Sequence, residues 1–197
     1  MNKLVSAVAL GAMLGLAACH SAGPDARPPL TGARIGGPFT LTDQDGHPFS
    51  SASLKGRYPI IYFGYTFCPD VCPTDMQVLA KGLKQLEQED PVRAAKVQPI
   101  FITVDPARDT PPVLKTFVRA FSPRLIGLTG SEAQIAAVAK DYAAPFSKQA
   151  PTKGATGYLM QHSTAAILFG PDGQPIALVP VDADAAQVAA TLKQWVR

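Results

Sequence analysis

Residues 62–75 read Tyr62-Phe63-Gly64-Tyr65-Thr66-Phe67-Cys68-Pro69-Asp70-Val71-Cys72-Pro73-Thr74-Asp75, a passage from an apolar strand into a helix. Upstream, Tyr58 to Tyr65 is a short apolar run of strand type, with Pro59 near its start. Downstream, Pro73-Thr74-Asp75 suits a helix's first turn. Proline loses nothing where the N–H has no partner, and an acid meets the positive end of the dipole. Met76, Leu79, Leu83 and Leu86 then recur at helical spacing. Two cysteines therefore sit where a buried strand meets a helix.

The same punctuation continues outward. Before this stretch, residues 36–49 read as a hairpin, with Phe39 and Leu41 alternating with polar residues and Asp45-Gly46 as the turn. After it, Val97 to Val104 forms a second buried-type strand. Thr110-Pro111 starts a helix bearing Leu114, Phe117, Val118 and Phe121. Leu125 to Leu128 is a short third strand, and Ser131 with Gln134 makes a capping box for a helix carrying Ile135, Val138 and Tyr142. A second hairpin turns at Pro171-Asp172-Gly173, and Asp184 with Gln187 caps a last helix bearing Val188, Leu192, Trp195 and Val196. Strands alternating with helices imply a helix-covered sheet. Cysteines at a strand-to-helix turn and a late hairpin before the final helix make this an α/β, thioredoxin-like domain with an N-terminal hairpin and extra elements.

With 197 residues, 47% hydrophobic and 17% charged, the chain has the composition of one globular domain. Its formal charge of +3 is small and evenly spread, which argues against a nucleic-acid partner. The first residues read as an address. Lys3 precedes an apolar stretch from Leu4 to Leu16, and Leu16-Ala17-Ala18-Cys19 matches a bacterial lipobox. The expected organisation is a lipoprotein signal peptide over 1–18, acylation at Cys19, a Pro/Gly/Ala-rich tether over 19–35 and the domain over 36–197. The protein is then expected on the periplasmic face of a bacterial membrane, held by lipid. With Cys19 acylated, Cys68 and Cys72 remain as a pair.

Three residues separate Cys68 from Cys72. A position at a helix N-terminus favours thiolates, and Pro69 and Pro73 stiffen the loop, so two sulfurs can converge. Two thiolates suit a soft metal or a redox disulfide. Thioredoxin-type oxidoreductases have two intervening residues, and structural zinc needs about four ligands. Copper accepts fewer and combines thiolate with imidazole. His162 is the expected third ligand, because the loop entering the late hairpin faces the first helix's N-terminus in such a fold. His20 and His47 lie in the tether and the first hairpin. A peroxidase reading of Thr66-Phe67-Cys68-Pro69 lacks a proline ahead of the cysteine. In the loop Val104 to Pro111, Asp105, Arg108 and Asp109 are open to two readings: a charged patch that docks a partner or tunes the site, or a loop salt bridge with a helix cap. Asp70 is placed to add negative charge beside a bound cation, and Met76 fits the helix's apolar stripe.

GYTFCPDVCP (64–73), VDPARDTP (104–111) and YLMQHS (158–163) together resemble the Sco/SenC family, which assists assembly of copper sites in respiratory oxidases. The resemblance covers residues 36–197. It implies a thioredoxin fold with a copper ion bound by Cys68, Cys72 and His162. It also implies the copper-site subunit of cytochrome c oxidase as partner and a periplasmic thiol reductant to keep the cysteines reduced. The alternative is a thiol-disulfide reductase acting on the oxidase's copper-site cysteines. Gln161 departs from the family, where Asp often precedes the histidine.

Overall fold

The structure is a computed structural model, and it describes residues 27–150 and 157–197. The expected signal peptide over 1–18 and the expected acylation site Cys19 lie outside the described residues. A seven-stranded sheet has the order β2-β1-β5-β4-β3-β8-β9, built from β1 (Thr40–Asp43), β2 (Pro48–Ser50), β3 (Tyr58–Gly64), β4 (Val97–Thr103), β5 (Ile126–Thr129), β8 (Ala166–Phe169) and β9 (Pro175–Val179). A separate two-stranded sheet pairs β6 (Phe146–Gln149) with β7 (Leu159–His162). The helices are α1 (Val71–Glu89), α2 (Pro91–Lys96), α3 (Pro111–Arg119), α4 (Glu132–Asp141) and α5 (Ala185–Trp195).

β3 and β4 are buried at every position, which explains why they read as continuous apolar runs. They pair in parallel, β4 pairs in parallel with β5, and β8 runs antiparallel to β3. Ile60, Tyr62, Ile100, Phe101 and Ile102 are fully buried at the centre. The capping box at Ser131 and the Asp184 cap form as expected. α1 packs against α5 through Gly82, where a Cβ would fall 2.5 Å from Val188.

Four features depart from the expectation. α1 begins at Val71, so Pro73 is the third helical residue, tolerated because the first turn's N–H groups have no intrahelical acceptor. Thr110 caps α3 by backbone position only, without a side-chain bond. The pair β6–β7 forms where no strand was expected, and His162 ends β7 instead of lying in a loop. Within the residues read as tether, Leu30 donates its N–H to the carbonyl of Ile176 at 3.0 Å, and Leu30 and Ile35 pack against the core.

Candidate metal centre

The parallel pairing of β3 and β4 brings the chain after Gly64 and the chain after Thr103 to the same end of the sheet. The first carries Cys68 into the turn and Cys72 into the first turn of α1. Cys72 is fully buried, and its backbone N–H donates to Cys68 Sγ at 3.5 Å. β7 delivers His162, whose Nε2 lies 3.3 Å from Cys72 Sγ. The ligand atoms of Cys68, Cys72 and His162 all lie within 4.8 Å of one another.

The imidazole is held for this. Nδ1 lies 2.9 Å from the carbonyl of Ser163, and a carbonyl only accepts. Nδ1 therefore carries the proton, and Nε2 faces the cysteines as an acceptor, its lone pair turned to Cys72 Sγ. The rings of Tyr65 and Tyr62 meet the imidazole edge-on at 5.7 and 6.2 Å. Gln161 points away, accepting a hydrogen bond from Gln149 on the exposed face of the hairpin. The orienting role that a carboxylate at that position could have filled belongs here to the Ser163 carbonyl.

Burial pushes the Cys72 thiol well above the usual cysteine range. A backbone hydrogen bond from Tyr65 opposes the shift, and the nearby Cys68 reinforces it. The helix terminus was expected to make both thiols more acidic. For Cys72 that expectation fails, because removing a thiolate from water outweighs a partial helix charge that is strong only near the terminus. A positive ion binding both sulfurs would supply the charge that stabilises the thiolate. Two soft sulfurs and one imidazole in a nearly dry site suit a soft cation of low coordination number.

The loop Val104–Thr110 clamps both halves of the site. Asp109 is fully buried and accepts three hydrogen bonds: from the Thr66 backbone N–H at 2.9 Å, from the Thr66 hydroxyl at 2.6 Å and from the Thr103 hydroxyl at 2.6 Å. Burial pushes its carboxyl up, and the three bonds work against that. Asp105 is 3% exposed, pairs with the Arg108 guanidinium and accepts from the Tyr158 hydroxyl at 2.8 Å. Arg108 also donates from Nη1 to the Tyr158 carbonyl at 3.0 Å. Asp109 thus fixes the start of the cysteine turn, while Asp105 and Arg108 fix the entry to β7. Asp70 is exposed at the start of α1, makes no side-chain cap bond and stands apart from the three-ligand cluster. Met76 is buried in the core, as its spacing indicated.

Two participants were not read from the sequence. Asp75 is 5% exposed and accepts from the Tyr62 hydroxyl at 2.8 Å. The sequence placed it in the first turn of the helix, but α1 starts at Val71, so Asp75 is its fifth residue and is buried. Tyr158 carries the Arg108 guanidinium 3.8 Å from its ring centroid and the Lys148 amine at 3.6 Å. The only available signal was that a tyrosine in a fully buried strand needs a partner for its hydroxyl.

The family model for SCO1/SenC matches residues 27–197. The chain belongs to the SCO1/SenC family. Among SCO1/SenC relatives, the mitochondrial protein SCO2 of Saccharomyces cerevisiae is 44% identical over 140 residues, 71% of this chain and 46% of that protein. The chain spans about half the length of such curated relatives. ScoI of Bradyrhizobium japonicum, solved with copper bound, superposes with a TM-score of 0.73 at 40% identity, covering 82% of this chain and 99% of ScoI. BsSco, a member of the Sco family of cytochrome c oxidase assembly proteins with an identified disulfide switch, gives 0.61 at 27% identity, over 81% of this chain and 92% of BsSco. These matches bear out the thioredoxin-like α/β fold.

Proposed function

We propose that this SCO1/SenC chain binds one copper ion through Cys68, Cys72 and His162 and delivers it to the copper-site subunit of cytochrome c oxidase. The carrying observation is the convergence of two thiols and an imidazole within 4.8 Å. That donor set is soft, and three ligands suffice for copper. The likeness to ScoI, solved with copper bound, supports the metal, and the likeness to BsSco supports oxidase assembly as the setting. The reductase alternative uses the same cysteines but has no need of His162, so the 3.3 Å contact from Nε2 to Cys72 favours delivery. Only thiolates ligate, so the cysteines must be reduced before loading, which calls for a thiol reductant in the same compartment. The lipobox at Leu16-Ala17-Ala18-Cys19 supports an acylated protein on the periplasmic face of the membrane.

The test is an anaerobic copper titration of the reduced, detergent-solubilised protein. One copper per chain is expected, and Cu(II) should give a sulfur-to-copper charge-transfer band that Cys68→Ser or Cys72→Ser abolishes. Unchanged stoichiometry in the double serine variant defeats the assignment.

A further inference from the structure

Among the described residues, five large apolar side chains are exposed: Phe67, Val71, Val92, Leu159 and Leu178. Three of them border the metal centre. Phe67, 52% exposed, precedes Cys68, and Val71, 39% exposed, precedes Cys72. Leu178, 56% exposed, lies in an open groove of about 590 Å³ that His162, Pro180 and Val181 also line. Exposed apolar side chains gathered around a functional centre, where most others among the described residues are buried or half-buried, mark a surface that is covered in a complex.

The two ends of this face carry opposite charge. At the Phe67 end, the Arg108 guanidinium lies 5.0 Å from the Phe67 ring centroid and stacks on Tyr158, which the Lys148 amine also contacts. Asp105 answers Arg108, but Lys148 is exposed and has no ion-pair partner among the described residues. Beyond His162, Asp182 lines the groove, exposed and likewise without an ion-pair partner among the described residues.

We infer that this rim is the docking face for the protein that receives the copper, and that the recipient is apolar at its centre, acidic opposite Lys148 and basic opposite Asp182. The inference rests on the delivery reading above. A soft ion held by two sulfurs leaves by exchange onto the partner's own ligands, so the two sites must touch. Apolar contact around them keeps water out of the exchange, while unpaired charges at the two ends set the partner's orientation.

The experiment follows copper from the loaded, full-length protein to the apo soluble domain of the oxidase copper-site subunit, at low and high salt. Capture by a small Cu(I) chelator is measured in parallel. Leu178→Ser should slow transfer to the domain about tenfold, as loss of a central apolar contact does. Lys148→Glu should slow it about threefold and weaken its salt dependence, and Asp182→Lys should do the same. Capture by the chelator should not change. Wild-type delivery matched by all three variants overturns the docking face alone. Slower capture by the chelator, in step with slower transfer, also overturns it, because the defect then lies in the metal centre. A wild-type protein that keeps its copper but delivers none overturns the delivery reading and the face together.

Discussion

His162 ends its strand with Nδ1 committed to the Ser163 carbonyl and Nε2 turned toward Cys72. Its replacement is therefore the substitution that separates delivery from disulfide exchange. His162→Ala should lose copper retention and oxidase maturation at low copper supply while keeping dithiol exchange. Full oxidase activity with stable protein would point instead to the reductase role. Gly64 matters for a steric reason. A Cβ there would fall 2.8 Å from Cys72 Sγ and 2.9 Å from the Phe101 and Tyr62 rings. Gly64→Ala should cost about 1–3 kcal/mol in denaturant unfolding and weaken copper binding by displacing the sulfur; unchanged affinity would show that Cys72 has room to shift. Asp75 supplies a pH test. Burial pushes its carboxyl above the ordinary range, against the opposing hydrogen bond from Tyr62. The folded protein thus holds this proton more tightly than the unfolded chain. That contribution to stability is full below the unfolded carboxylate range and is lost as pH rises through the higher folded value. An asparagine oxygen still accepts from Tyr62 and carries no charge. Asp75→Asn should therefore gain on the wild type in urea midpoints as pH rises from the acid range to neutrality, and the opposite trend would refute the account.

The hairpin β6–β7 brings the histidine to the cysteines, and it is held at its entry by Tyr158. Tyr158→Phe removes the hydroxyl that donates to Asp105 but keeps the ring beneath Arg108 and Lys148. It should cost about 1 kcal/mol and speed amide exchange across Leu159–His162; unchanged exchange there would free Tyr158 of this role. The same hairpin marks where sequence reading stopped. β3, β4 and α1 were legible because burial on both faces, or on one helical face, leaves long apolar patterns. β6 and β7 are four residues each, half-exposed and rich in polar residues, so no local pattern distinguishes them from loop. The convergence of Cys68, Cys72 and His162 was legible, since the cysteine spacing is local and the histidine could be placed through topology. The Tyr62–Asp75 bond was not, because it depends on where α1 starts, two residues before the prolyl signal at Pro73. The Asp109 hub was half legible: its loop stood out as charged, but only the packed structure shows that Thr66 and Thr103 turn their donors onto it.

Over the whole molecule, the expected anchor at Cys19 is open to a direct test. If Cys19 is the acylated N-terminus, intact-mass analysis of membrane-extracted protein should show the lipid, and Cys19→Ser should release or mislocalise the protein; an unmodified Cys19 counts against the anchor. The chain reaches the domain at Leu30, bonded to Ile176 at the start of β9. β9 then runs to Val179, which pairs with Ala166 four residues after His162. The chain therefore enters the sheet at the end away from the Cys68, Cys72 and His162 cluster. The eleven residue-to-residue steps from Cys19 to Leu30 span at most about 40 Å when fully stretched. If Cys19 is acylated, the Cys68, Cys72 and His162 cluster lies on the side of the domain away from that attachment, within a layer above the bilayer whose depth this span limits. Any acceptor must then raise its own copper site into that layer, so the height of the acceptor's site above the membrane becomes a condition of delivery alongside its chemistry.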